Sequence, residues 1–203
     1  MAEGRKRGVL SPQRGKTTIH AGTRRNPGVG PSSGGRPVGV KPEVVVRPML
    51  AGDLDQVMEI EEATFLTPWP RRVFENELVA PGRSYWVADY QGRVVGFGGL
   101  MLVDKDAHIN TLATIRPAPV PALGSRVMLR LVEEGLLGGA EHLSLEVRSS
   151  NWKAQEFYRK FGLAPVGIRK GFYQDEDALI MWAHDLRDTD YQERLRLIRE
   201  ALP

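Results

Sequence analysis

From residue 43 onward the apolar positions switch between a period of two and a period of three to four residues, and the switches lay out strands alternating with helices. Val44, Val45, Val46 and Arg47 read as a first strand, with Pro48 helping to end it. Asp53 then stands where a helix N-cap belongs, followed by Leu54, Val57, Met58, Ile60 and Glu61 at helical spacing towards Phe65. Pro68 and Pro70 interrupt the chain around Trp69, and a second helix with Val73, Phe74 and Leu78 follows. Three strands are predicted next: Ser84 to Ala88, Arg93 to Leu102 after the Gln91-Gly92 turn, and about Ala107 to Ile115.

Beyond a Pro-rich loop, Gly124 opens a helix with apolar Val127, Met128, Leu131, Val132 and Leu136, which Gly138-Gly139 ends. Leu143, Leu145 and Val147 alternate as a strand. Asn151 caps a helix bearing Ala154, Phe157, Tyr158 and Phe161, and Gly162 stops it. Strands near Ala164 to Ile168 and Ala178 to Ala183 and a charged helix from about Asp188 to Ala201 complete an α/β (α+β) order with seven strands and no repeat.

The first 42 residues break this pattern. They are rich in Gly, Pro, Ser, Thr and Arg and carry nine Lys/Arg against the single acid Glu3, a balance of +8 that leaves −5 for the remainder of a chain whose net charge is +3. So little apolar surface cannot offset the entropy of ordering, and residues 1–42 read as a disordered basic leader. A linker-like extension accounts for that composition. An arm for RNA or the ribosome is the less favoured alternative, because no aromatic residue is interleaved with the charge to stack on bases. Residues 43–186 form the predicted domain, and 187–203 a C-terminal charged helix.

At 203 residues and 41% hydrophobic content, the chain suits one ordinary core. It has no run of apolar residues long enough to span a bilayer and no apolar secretory segment, which points to a cytoplasmic protein without membrane contact. With no cysteine, disulfides, thiolate metal sites and a cysteine nucleophile are excluded. The histidines have no ligand spacing, so no metal is expected, and His108, His142 and His184 read as ordinary surface or edge residues. A P-loop, a nucleotide-binding glycine fingerprint and a Gly-x-Ser-x-Gly elbow are all missing.

The segment Leu145-Glu146-Val147-Arg148-Ser149-Ser150-Asn151, with Ala154, Phe157-Tyr158 and Phe161-Gly162 after it, resembles the strand-to-helix unit of the GNAT N-acetyltransferases. Arg169 to Tyr173 and Glu176 to Met181 extend the likeness towards the bacterial ribosomal-protein alanine N-acetyltransferases. The resemblance spans about residues 43 to 185. It implies a GNAT fold with a mixed, mostly antiparallel sheet, acetyl-CoA as co-substrate, and a protein or peptide N-terminus, possibly ribosomal, as acceptor.

Acetyl transfer to an amine requires a base for the ammonium proton, donors for the developing oxyanion and an acid for the leaving thiolate. The resemblance puts the base at Glu146, where an apolar strand would desolvate the carboxylate and raise its pKa. The residues alone also allow a Glu that faces solvent or pairs with Arg148. In similar enzymes the hydroxyl at Tyr158 protonates the coenzyme thiolate and the side chain at Asn151 holds the pantetheine arm. Tyr158 read by itself is a core aromatic, and Asn151 an N-cap. The backbone of Leu112, Ala113 and Thr114 corresponds to the strand that pairs with pantetheine, while Trp69 and Tyr173 correspond to the substrate side or serve the structure alone.

The family's diphosphate loop, [Arg/Gln]-x-x-Gly-x-[Gly/Ala], falls on Pro119 to Gly124. Leu123, Gly124 and the helix start at Ser125 and Arg126 fit a cradle of backbone N–H groups. Proline stands at the polar first position and alanine at the first glycine, and the nitrogens of Pro119 and Pro121 cannot donate. The implied activity is therefore acetyl transfer to a protein N-terminal amine by direct attack. Its alternatives are a GNAT enzyme for a lysine or small amine, and a catalytically silent GNAT-fold binding module.

Overall fold

The computed structural model describes residues 43–203, and the basic leader read over residues 1–42 lies outside the described residues. In chain order the elements are β1 (Val44–Pro48), α1 (Leu54–Thr64), α2 (Arg71–Glu77), β2 (Arg83–Tyr90), β3 (Arg93–Val103), β4 (Asp106–Thr114), α3 (Leu123–Leu137), β5 (His142–Arg148), α4 (Trp152–Lys160), β6 (Ala164–Arg169), β7 (Ala178–Ala183) and α5 (Thr189–Glu200). The strands form one seven-stranded sheet in the order β1-β2-β3-β4-β5-β7-β6, antiparallel at every junction except the parallel pair β4 and β5. This is the mixed, mostly antiparallel sheet that the resemblance implies.

Helices cover both faces, which is why β3 is an almost unbroken apolar run rather than an alternating one. On one face α3 sets Val127, Leu131 and Val132 against Val95, Leu100, Leu143 and Leu145. Gly98 lies directly beneath it: a Cβ there would stand 2.7 Å from Leu131 Cδ1 and 3.1 Å from Val127 Cγ1, so a larger residue would have to displace these side chains. Helix α5 adds Tyr191 and Leu195 to the same core. On the other face Leu54, Val57 and Ile60 of α1 and Phe74 of α2 pack against Tyr85, Val87, Phe97 and Ala113. Full burial of each such side chain contributes roughly 1.5–3 kcal/mol.

Asp53 does not cap α1 with its side chain. Arg47 takes both carboxylate oxygens, at 2.8 Å each, and the Leu50 N–H donates to Oδ2 at 2.8 Å. The Arg47 guanidinium holds the Asp53 carboxyl below the usual aspartate range. A cap was expected because local spacing cannot show that a strand six residues earlier supplies a stronger, bidentate partner. Asn151 does cap α4, its Oδ1 accepting from the Ala154 N–H at 3.1 Å.

Candidate active site

β4 and β5 pair only at Asp106 with His142, Ala107 with Leu143 and His108 with Ser144. Beyond that rung neither strand has a ladder partner on the other, although β4 runs on to Thr114 and β5 to Arg148. The strands part, and their facing edges offer backbone groups that the sheet does not use. A shift of register between β3 and β4 at Gly99/Leu100 leaves Asn110 without a partner and marks a bulge next to the opening.

The opening is a cleft of about 840 Å³ lined from both strands, by His108 to Thr114 and Leu145 to Arg148, and closed by Phe65, Trp69, Asn151, Tyr158, Tyr173 and the start of α3. It gathers most of the residues singled out in the sequence: Glu146, Tyr158, Leu112, Ala113, Thr114, Gly124, Ser125, Asn151, Trp69 and Tyr173. Leu123 and Arg126 are not on its wall. Leu123 is buried in the core and lines an adjoining hollow of about 460 Å³ formed by Thr114 to Gly124. The Arg126 guanidinium turns to the carbonyl oxygen of Pro203.

Glu146 projects from β5 with its side chain 16% exposed. Its Oε2 lies 2.9 Å from His108 Nε2, and its Oε1 accepts from Arg169 Nη1 at 3.2 Å. Arg148 is not its partner: it binds Asp175 at 2.7 Å and Glu176 at 2.8 Å. His108 is therefore no ordinary edge residue. Its other nitrogen, Nδ1, is 2.9 Å from Ser144 Oγ. Burial holds the imidazole below its usual pKa, the Glu146 charge opposes that shift and Arg169 adds to it. The neutral tautomer that satisfies all three groups donates from Nε2 to Glu146 and accepts the Ser144 hydroxyl at Nδ1.

Tyr158 lies on the cleft face of α4 beside Phe157, with ring centroids 5.3 Å apart. Burial, reinforced by Tyr173, keeps its phenol protonated far above the usual range. Such a group can donate a proton but cannot act as a base near neutrality. Tyr173 donates a long hydrogen bond, 3.5 Å, to the Glu146 carbonyl, and the Arg148 guanidinium lies 4.3 Å over its ring. The Trp69 ring packs on Phe74, centroids 5.6 Å apart, and its backbone N–H donates to Glu61 Oε1 at 2.8 Å. Glu61, which also lines the cleft, was read from the sequence only as part of a helix face.

At the smaller hollow Ala122 occupies the left-handed region, φ 55° and ψ 26°, immediately before α3. The Arg126 N–H bonds to the Ala122 carbonyl at 3.1 Å, so the N–H groups of Leu123, Gly124 and Ser125 precede the first helical hydrogen bond and remain available. The positive end of the α3 dipole therefore faces this end of the cleft. Among the described residues no cluster of three or more His, Cys, Asp or Glu is placed to hold a metal, and no helix is long and apolar enough to cross a membrane.

The parted β4/β5 pair thus opens a cleft that holds a carboxylate–imidazole pair bridging the two strands and a protonated phenol on α4. The acetyltransferase (GNAT) family profile matches residues 54–163, and the chain belongs to that family. A Bacillus subtilis protein provisionally named as a ribosomal protein bS18-alanine N-acetyltransferase is 41% identical over 146 residues, covering 70% of this chain and 97% of that protein. The N-alpha-acetyltransferase of Sulfolobus acidocaldarius is 29% identical over 154 residues, covering 68% and 90%. In fold, the chain is similar to the ribosomal-protein-S18-alanine N-acetyltransferase from Escherichia coli, with a TM-score of 0.65 at 24% identity over 70% of this chain and 94% of that one.

Proposed function

We propose that this protein moves the acetyl group of acetyl-CoA to the α-amine of a protein N-terminus in the cytoplasm, with an alanine-initiated ribosomal protein as the first acceptor to test. The observation that carries this reading is the parting of β4 from β5 with the Glu146–His108 pair at its head and Tyr158 within the same cleft. Support for the acceptor class comes from the names of the relatives at 41% and 29% identity.

The α-ammonium gives its proton to the Glu146–His108 pair, and the freed nitrogen attacks the thioester carbonyl carbon. The new N–C bond forms as the C–S bond breaks, the departing sulfur takes the phenolic proton of Tyr158, and the second proton of the acylated nitrogen leaves to solvent, from which the phenolate is reprotonated. Direct attack is the simplest course, because the chain has no cysteine and the cleft holds no activated nucleophile. The open edge at Leu112, Ala113 and Thr114 supplies backbone groups for the pantetheine arm, Asn151 has its amide nitrogen left to share in this, and Trp69 and Tyr173 border the acceptor.

The residues at the start of α3 fit the coenzyme's diphosphate in part. Leu123, Gly124 and Ser125 keep free N–H groups, whereas Pro119 and Pro121 have none to give. That loss favours a second reading, a silent GNAT-fold binding module. Titration of acetyl-CoA into the full-length protein, followed by mass spectrometry of an alanine-initiated peptide, separates the two. Micromolar binding and an acetyl group on the α-amine support the enzyme. A folded protein that does not bind millimolar coenzyme is the silent module.

A further inference from the structure

Glu61 sits on the buried stripe of α1, next to Ile60, and is only 2% exposed. A carboxylate placed there loses its hydration, and no cation pairs with it among the described residues. Its Oε1 is used by the Trp69 N–H at 2.8 Å. Its Oε2 is buried with no hydrogen-bond partner among the described residues. A leucine or methionine at this position would serve the helix without that cost, so the packing of α1 does not explain the carboxylate.

The same side chain lines the large cleft, in the wall that includes Phe65, Leu66 and Trp69. A buried acceptor without a donor, bordering a cleft, is a place for a donor that arrives with a ligand. Exposing Oε2 takes a turn about the soft terminal torsion of the side chain. On the N-terminal acetyltransferase reading, on which this inference rests, the entering polypeptide brings two kinds of N–H. The α-amine must be free to attack and is committed to the Glu146–His108 pair. The first peptide N–H is what remains.

We propose that Glu61 is an acceptor-recognition residue whose Oε2 takes a hydrogen bond from the first peptide N–H of the acceptor while Oε1 holds the Trp69 segment in place. The carboxylate so used distinguishes a polypeptide N-terminus from a lysine side chain or a simple amine, neither of which carries an amide N–H one residue from the reacting nitrogen. Burial raises the Glu61 carboxyl to about 7, with the Trp69 N–H opposing, so the oxygen gains most from a donor just where the free protein solvates it least.

The test is steady-state kinetics of the full-length protein with an alanine-initiated hexapeptide at saturating acetyl-CoA, for the wild type, Glu61→Gln and Glu61→Ala, beside the same peptide N-methylated at its first peptide bond. Glutamine keeps an oxygen for the Trp69 N–H but turns an NH2 group towards the acceptor. Peptide KM is expected to rise about tenfold in Glu61→Gln, the loss of one hydrogen bond, with kcat and the acetyl-CoA KM changed less than twofold. N-methylation should raise the wild-type KM by a similar factor and add nothing in Glu61→Gln. A wild-type KM in Glu61→Gln, with only Glu61→Ala impaired, overturns the proposal and leaves Glu61 as a clamp on Trp69. So does an equal N-methyl penalty in the wild type and Glu61→Gln. A wild type that acetylates no peptide overturns the acetyltransferase reading, and this inference with it.

Discussion

His108, on the last rung at which β4 and β5 pair, sets its Nε2 2.9 Å from Oε2 of Glu146, two residues farther along β5, so the two strands are bridged by side chains where their backbones separate. Each partner restricts the other. The carboxylate receives the imidazole N–H, and burial keeps the imidazole neutral despite the charge beside it.

Removing the carboxylate charge tests the pair directly. Glu146→Gln should lower kcat about a hundredfold or more, the usual worth of a positioned base, and leave acetyl-CoA affinity unchanged. The His108 pKa lies below the free value, so the ring is neutral at pH 7 and takes a proton only at more acid pH. The rate should therefore fall as pH drops through that lowered value, and the limb should disappear from the kcat/KM profile of His108→Gln. A full-rate Glu146→Gln enzyme would remove the pair from the chemistry.

Tyr158→Phe deletes the candidate acid while keeping the ring that packs beside Phe157. We expect kcat to fall by about ten- to a hundredfold, with the melting temperature and acetyl-CoA binding close to wild type. Thermal unfolding by circular dichroism, measured alongside turnover, separates this from a packing defect. Comparable losses in both would make Tyr158 a core aromatic only.

The order of strands and helices was legible because each element carries its own period, and β7 runs from Ala178 to Ala183 as read. What lay beyond the sequence is contact across elements. The position of Asp53 fits a cap, while its partner Arg47 belongs to the preceding strand. His108 was passed over because Glu146 is brought to it by a parallel pairing that no local pattern encodes. Strand parity does not mark it either: the bulge at Asn110 reverses the alternation along β4, so His108 shares a face with Thr111 and Ala113 rather than with Leu112 and Thr114. Glu61 was visible as a charge on an apolar stripe, and only the burial of its second oxygen gives it meaning.

Ala122 holds φ at 55°, a region where an L side chain costs roughly 1–2 kcal/mol and glycine costs little. On the diphosphate-loop register that the resemblance implies, its methyl group stands at a glycine position. Ala122→Gly should stabilise the protein by about 1 kcal/mol, less the extra freedom of glycine in the unfolded chain, and raise the melting temperature by about 2–4 °C. Denaturant and thermal unfolding of the single variant measure it. A destabilised variant would show that the turn is not strained.

Stability should also carry the mark of Glu61, whose carboxyl rises from 4.5 to about 7 on folding because it is buried. The native state therefore binds a proton more tightly than the unfolded chain. Between pH 4.5 and 7 folding takes one up, and stability contributed by this group falls as pH rises, flattening above 7. The shift corresponds to about 3 kcal/mol by linkage. Glu61→Gln, which has no proton to exchange, should lose that slope: relative to wild type it should gain stability at pH 8 compared with pH 5. Urea unfolding of both proteins at the two pH values isolates the difference from every other titrating group, since those are common to the pair. Parallel pH dependences would mean that the Glu61 carboxylate is solvated or paired in solution, and would also remove the empty acceptor on which its recognition role depends.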